Sequence, residues 1–583
     1  MTTFETALEN SNRRPLHVLI IGFGVVGKGV LAGLQKHFAQ VTGTIIDHNA
    51  SVIADGRRSL ASEFPNVSNR WSFEHLRMHS ENYAEVLARF TSTGSIVVET
   101  CVEVNTADLL RWCLDNGRHY TNTVCDLWKE QTLAKTNHYR NIHGILRHFV
   151  EPVVDYIRAR ALPAEPAQTT CLIGNGANIG MVNHYFKKAL ADASRTWGMS
   201  ADALAADLSG VYIYEKDTLV FRGDFVPAPE VFYNTWNVLE FHLESVAHVD
   251  YPRATEAAEH PSMPRGSTVR NVWYQRAMAR DLRLRDHVVH GRVVAHEETY
   301  TLADYLLRNY QRHPEVQFIY ECSPIGEMSR IRIPLGTPYA SVCVSSEADG
   351  DHGSDLVGTL IVARDGRAWS TGFDCKQFEL ADSIKNFTNA TAWYVSCGIL
   401  ASILFIREFP QQGAGFPEDF DIRFNEIVIR NFESFVTEQP RKDIVSRDET
   451  GVSSISAPYP TYECENRCGR NAELRRRRSP ILWSWRSSVA TFEQFRDPLG
   501  RQRGPKVVAR STKPRTGTTR QATSVTTLWL TAPVRLTPSP RARAMSRCHP
   551  CGDCFSRRGR RTCSGGNLRP PLRSPAGRNR RRR

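Results

Sequence analysis

The chain is 583 residues long with a formal net charge of +13, room for two or three domains with sizeable cores. That charge averages two unlike parts. Residues 441–583 hold 30 Arg, 3 Lys and 9 acids, a net of +24, and residues 1–440 hold 41 bases and 52 acids, a net of −11. The body is therefore mildly acidic, which argues against a basic nucleic-acid-binding body and confines any polyanion binding to the tail.

The first sixteen residues, MTTFETALENSNRRPL, lack the apolar core of a secretory signal. Residues 16–27 then read LHVLIIGFGVVG, an apolar β-branched run breaking into Gly22-Phe23-Gly24-Val25-Val26-Gly27. Twenty residues further on, a second apolar run ends in Asp47. Strand, glycine turn, helix and strand with a terminal carboxylate form the dinucleotide-binding fingerprint. In it Gly22 allows the tight turn, Gly24 lets a pyrophosphate approach the backbone, and Gly27 lets the helix pack on the strand. Asp47 would accept the ribose hydroxyls and repel a 2′-phosphate, which favours NAD over NADP.

Strand and helix patterns alternate through residues 16–130, as a parallel sheet requires. A strand is expected at 95–100, an amphipathic helix at 107–116 stopped by Gly117, and the next strand at 119–126. Ligands of such sheets sit beyond the carboxyl ends of the strands, which places Glu103 and Asp126 near a substrate. Residues 168–192 repeat the theme, with a strand, the Gly/Asn-rich turn 174–180, and a helix from Met181. From about 205 to 380 short β-like runs (GVYIYEKDTLVF, HGRVVAHEE, RIRIPLG, SDLVGTLIVA) suggest an inserted, mainly antiparallel α+β domain. The apolar stretch 391–406 falls short of the ~20 residues that span a bilayer and reads as a buried helix.

The expected fold class is thus α/β, with residues 1–170 a Rossmann-type parallel-sheet domain and 171–385 the inserted substrate and dimerisation domain. Residues 386–440 form a helical return to the first domain. The Arg-rich, Lys-poor stretch 441–583 reads equally as a disordered tail or as GC-rich DNA translated out of frame. Within it Cys548, Cys551 and Cys554 have half of a metal-site spacing and no convincing second pair, so no metal is expected. Eight body cysteines without a CxxC pair suggest reduced thiols in the cytoplasm.

Several motifs in order resemble those of bacterial-type homospermidine synthases, in the saccharopine-dehydrogenase-like group. Gly176-Ala177-Asn178-Ile179-Gly180-Met181-Val182 is similar to a GANPG(L/M)V turn, and Tyr214-Glu215-Lys216-Asp217-Thr218 to an ERDTQ segment. Asn234-Thr235-Trp236 with Glu244 is similar to NTWS…E, and His296-Glu297-Glu298 with Ala303-Asp304-Tyr305 to HNE…ADY. Asn389-Ala390-Thr391 is similar to a late NAT.

The resemblance spans about residues 15–435. It implies an NAD-dependent enzyme, a homodimer, that joins two putrescines with loss of ammonia and no net NADH. It also implies site residues. His296, Glu298, Glu215 and Asn178 are the catalytic candidates, and Trp236, Glu244, Glu103, Asp126, Asp355 and Asn389 the substrate-binding ones. Residues Gly22 to Gly27 and Asp47 would hold the cofactor.

The residue types suit a diamine independently. A dication on an apolar tether calls for carboxylates and an aromatic face, and Trp236 could supply cation–π attraction. His296, with an ordinary pKa of about 6.5, is the natural general base. Three departures stand out: Ile179 replaces proline, Val124-Cys125-Asp126-Leu127-Trp128 replaces CxEPW, and Glu103 and Asp126 exchange the family's Asp and Glu.

Blander readings remain beside these. Glu215 next to Lys216 could be a surface ion pair, and residues 296–298 a solvated cluster. Two other functions compete, a saccharopine- or carboxynorspermidine-type dehydrogenase and a non-catalytic Rossmann scaffold with a nucleic-acid-binding tail. The first would require arginines converging on the pocket.

Overall fold

The protein is described by a computed structural model covering residues 3–66, 68–131, 145–160, 168–220, 226–238, 240–241, 250–252, 269–271, 279–294, 296–312, 314–333, 340–343, 352–437 and 444–449. Glu244 and residues 450–583, with the tail cysteines and arginine runs, lie outside them.

Six strands come from the first third of the chain: β1 (Leu16–Ile21), β2 (Val41–Asp47), β3 (Trp71–His75), β4 (Ile96–Glu99), β5 (His119–Asn122) and β6 (Thr170–Leu172). The middle supplies β7 (Leu208–Asp217), β8 (Val231–Asn234), β9 (Asp250–Pro252), β10 (Val269–Asn271), β11 (Ala279–Arg283), β12 (Val288–Val294), β13 (Glu315–Glu321), β14 (Ala340–Cys343), β15 (Ser354–Ala363) and β16 (Ala368–Lys376). Two short strands follow, β17 (Gly413–Gly415) and β18 (Val445–Asp448).

The first sheet is wholly parallel, in the order β3-β2-β1-β4-β5-β6-β17. The chain leaves β1 towards β2 on one side and rejoins it through β4 on the other. This reversal opens a crevice at the carboxyl ends of β1 and β4, where such sheets take their ligands. Side chains of β1 alternate between two buried layers, Val18 and Ile20 into one, Leu19 and Ile21 into the other. That explains the unbroken apolar run.

The second sheet runs β11-β12-β13-β7-β15-β16-β18 and is antiparallel except for the β13–β7 pair. Two small pairs, β8 with β14 and β9 with β10, stand apart. The helix Ala390–Glu408 is long and apolar enough to cross a membrane, yet it is buried inside the fold. Apolar all round, it packs in the core. There Ser396 Oγ donates to Val26 O at 3.0 Å, tying it to the helix after the glycine turn.

Three local expectations change. The run at Arg330–Ile333 alternates like a strand, yet Pro324–Arg332 is a helix. Ser323 accepts from Gly326 N and Pro324 starts the first turn, so capping outweighs alternation. The strand expected to reach Asp126 stops at Asn122, whose side chain turns back to Val124 O and Gly174 N. The ordered body also passes residue 440, since β18 covers the edge of β16.

Beside β18, Trp369 Nε1 donates to Ser446 Oγ at 2.8 Å and Ser370 Oγ to Glu449 at 2.7 Å. Arg447 pairs with Asp286 and Glu449. Ending the chain after residue 440 is expected to lower Tm by several degrees, with each lost hydrogen bond contributing about 0.5–1.5 kcal/mol. It should also promote association through the bared edge. Ending it after residue 450 keeps these contacts and serves as the comparison, with thermal melts and light scattering separating the two.

Candidate active site

Gly22, at φ +90°, makes the turn out of β1, and a Cβ there would lie 2.5 Å from Cys101 Cβ. Gly24 caps the helix Val25–His37 with no side chain on its free amides, and the space before its Cα is open. Uncapped N-terminal amides facing open space fit the phosphates of a dinucleotide. The Phe23 ring is buried against Phe73, so only its backbone belongs to the turn. Asp47 stands at the end of β2 and accepts from Phe23 N and Asn49 N, both at 2.7 Å. It braces the turn and retains lone pairs for a ribose.

From the start of that helix a cavity of about 160 Å³ extends towards the second sheet. Val26, Thr100, Cys101 and Val102 line one side, and Asn178, Glu215, Trp236, His296, Phe318, Tyr320 and Asp355 line the other. Four carboxyls face it, those of Glu215, Glu240, Glu297 and Asp355, and no Lys or Arg belongs to the described lining.

Strand register assembles the acids. Glu215 and Asp217 are two apart on β7 and so share a face. Asp355 of β15 is paired directly with Asp217, and Tyr320 of β13 with Glu215. Like charges opposite one another destabilise a sheet, and a cluster of this kind marks a functional site.

Burial and the neighbouring Asp217 push the Glu215 carboxyl up to about 8, against the pull of a hydrogen bond from Asn178. Burial lifts Asp217 to about 6, and burial with Glu215 and Asp217 nearby lifts Asp355 well above the carboxylate range. Asn178 Oδ1 is buried with no hydrogen-bond partner among the described residues. Lys216 pairs with Glu321 instead, so Glu215 is no surface ion pair.

His296 precedes the helix Glu297–Tyr310 and is nearly buried, its ring edge-on to Phe318. Its Nδ1 meets the carboxylate of Glu298, which is fully buried behind it, and lies 3.3 Å from Glu297 Oε2. A solvated cluster is thereby excluded. Glu297 Oε1 accepts from Cys125 N at 3.2 Å, fixing this helix start to the strand-end turn of the parallel sheet. Trp236 Nε1 donates to Tyr320 OH at 2.8 Å, which sets the indole against the cavity wall.

Four candidates take other places. Glu103 turns outward to Lys129 Nζ at 2.5 Å and Arg77 at 3.3 Å and does not line the cavity. Asp126 is buried beside the lining, where it accepts from Glu103 N and Leu127 N. Burial raises its carboxyl to about 7. Asn389 caps the helix Ala390–Glu408 through Ala392 N and donates to Thr235 O at 2.8 Å, so it supports the Trp236 segment from behind. Glu298 likewise sits behind His296 rather than on the lining.

Sequence reading missed Glu240 and Glu297. Glu240 lies in the first helical turn after Asn237, whose Oδ1 accepts from Glu240 N, and Asn-x-x-Glu is the spacing of a helix start. Glu297 was passed over between its two named neighbours.

Residues 18–147 match the family model described as the saccharopine dehydrogenase NADP binding domain. A homospermidine synthase from Blastochloris viridis is 25% identical over 452 residues, covering 70% of this chain and 87% of that protein. One from Mesorhizobium japonicum is 23% identical over 458 residues, covering 70% and 86%. The solved homospermidine synthase from Legionella pneumophila, in complex with NAD, superposes with a TM-score of 0.58 at 20% identity, covering 75% of this chain and 93% of that one. With its parallel sheet, glycine turn and second mixed sheet, the chain is similar to homospermidine synthases across its folded body.

Proposed function

We propose that the protein is an NAD-dependent homospermidine synthase, joining two putrescines or related diamines with release of ammonia. The observation that carries this reading is a cavity with four carboxyls, an indole and no described Lys or Arg, opening at the glycine turn. Buried acids without cationic partners are costly, and a diammonium substrate supplies the missing charge. A dehydrogenase for carboxylate-bearing substrates would need the opposite lining. The acidic body and cavity likewise speak against a nucleic-acid-binding scaffold.

Gly22, Gly24, Gly27 and the amides of residues 23–26 would hold the pyrophosphate, with Asp47 at the ribose, where a 2′-phosphate would meet its charge. A bound nicotinamide would supply a hydride acceptor and donor for the amine-bearing carbon. Before the hydride leaves, an ammonium must lose its proton. With the Glu298 carboxylate on Nδ1–H, the basic nitrogen of His296 is Nε2, and this nitrogen accepts the proton. Glu215, held by Asn178, and Asp355 grip the amine end. The second amine, in its neutral form, adds to the imine carbon, His296 gives its proton to the departing nitrogen and takes the one that the adding nitrogen sheds, and ammonia leaves. Hydride addition to the new imine gives the secondary amine, which takes its proton from His296. Trp236 holds charge without removing protons.

Body cysteines without a CxxC pair suit a reducing cytoplasm, and the resemblance carries the homodimer with it. Incubating the protein with NAD and labelled putrescine should yield labelled homospermidine and ammonia with no net NADH. NADH accumulating without homospermidine would overturn the assignment in favour of a dehydrogenase.

A further inference from the structure

We propose that Glu240 is a specificity-determining residue of this cavity, holding the charged far end of the amine substrate. The inference rests on the diamine reading and adds a residue outside every motif that carries the resemblance.

The acids around the cavity form two sets, from two places in the fold. Glu215 and Asp355 lie on the paired strands β7 and β15, whereas Glu240 and Glu297 line it from the segment after Trp236 and from a helix start that Cys125 N joins to the turns holding Asp126 and Glu103. His296, next to Glu297, lines the cavity as well. A molecule with an amine at each end and an apolar tether matches this layout. One ammonium meets each set, the tether runs along Trp236, Phe318 and Tyr320, and His296 has access to a nitrogen.

At the second set the other carboxyls are already engaged. Asp126 accepts from two backbone amides, Glu103 is paired with Arg77 and Lys129, and Glu297 accepts from Cys125 N. Glu240 alone of these lines the cavity with no donor to its carboxyl among the described residues. Its segment is well anchored. Glu240 N–H donates to Asn237 Oδ1 at 3.3 Å, and Phe241 packs edge-on against both Trp236 and Tyr320. The backbone that carries Glu240 is therefore anchored at the cavity wall. Asp126 from the strand-end turn and Glu297 and His296 from the helix start bear on this carboxyl, and a bound cation would relieve the crowded acids.

The test is calorimetric, with the full chain in the absence of NAD so that no turnover occurs, and putrescine is compared with butylamine, which has the same tether and a single amine. In the unmodified protein putrescine should bind more tightly. In Glu240→Gln its Kd should rise about 10- to 100-fold, the usual size for a lost charge-assisted hydrogen bond, and butylamine should be unaffected. Glu240→Asp keeps the charge but withdraws it by about 1.5 Å, and should shift preference towards the next longer diamine. A merely structural role would weaken both amines equally, and that result, or an unchanged putrescine Kd, would overturn the proposal while leaving the diamine reading intact. If the unmodified protein does not prefer putrescine to butylamine, both fall together.

Discussion

Replacing His296 with alanine is expected to lower kcat for homospermidine formation by about 10²- to 10⁴-fold, the usual contribution of a positioned general base. His296 is the only group of the described lining that is a neutral base with an ordinary pKa near neutrality. An ammonium left protonated cannot give up a hydride, so the loss should fall on kcat more than on KM. Glu298→Gln retains the shape behind the ring but lifts the charge from Nδ1. It should therefore give a smaller loss together with a lower basic pKa in the pH profile of kcat/KM. Circular dichroism and Tm guard against simple unfolding, because both residues are buried. A drop in kcat of less than about tenfold for His296→Ala would remove the ring from the chemistry.

A second large effect concerns pH. Glu215 and Glu240 are pushed up to about 8, both chiefly by burial. Their unfolded values lie near 4.5, so the folded protein without ligand binds more protons than the unfolded chain between those limits. Stability from such groups is fully present below the unfolded value and is lost as pH rises through the folded one. Each group should remove about 1.4 kcal/mol per pH unit across that window.

Tm of the free protein should accordingly fall from pH 6 to pH 9. A diammonium ligand reverses the preference, since it requires ionised carboxylates. Putrescine should thus bind with proton release, tighten as pH rises towards about 8, and stabilise the protein most at the alkaline end. Melting curves with and without putrescine, and calorimetry in two buffers of different ionisation heat, measure these quantities. A free-protein Tm that climbs over this range, or stabilisation by putrescine that peaks at pH 6, would mean the acids are already ionised.

How much was legible in the sequence differs between the two halves of the site. At the nucleotide end the geometry is local. Gly22, Gly24 and Gly27 lie within six residues, and the carboxylate of Asp47 reaches Phe23 N because β1 and β2 are adjacent strands. At the amine end the motifs name segments that reach the cavity, but not every named side chain lines it: Glu103 does not, and Glu240, which no motif names, does. The direction of a carboxyl at a strand-end turn depends on its neighbours. Glu103 at φ +65° turns its N–H to Asp126 and its side chain to Lys129.

By itself, the sequence determined the parallel sheet, the dinucleotide turn, the mainly antiparallel insertion and the buried return helix. Those features follow from periodicity and from glycines within a few residues of one another. Only the tertiary structure decided which acids meet. Asp217 faces Asp355 through a pairing of strands more than a hundred residues apart, and Glu297 joins the parallel sheet through Cys125. It also decided that β18 belongs to the body. Contacts of this range come from register and packing, and no local pattern encodes them.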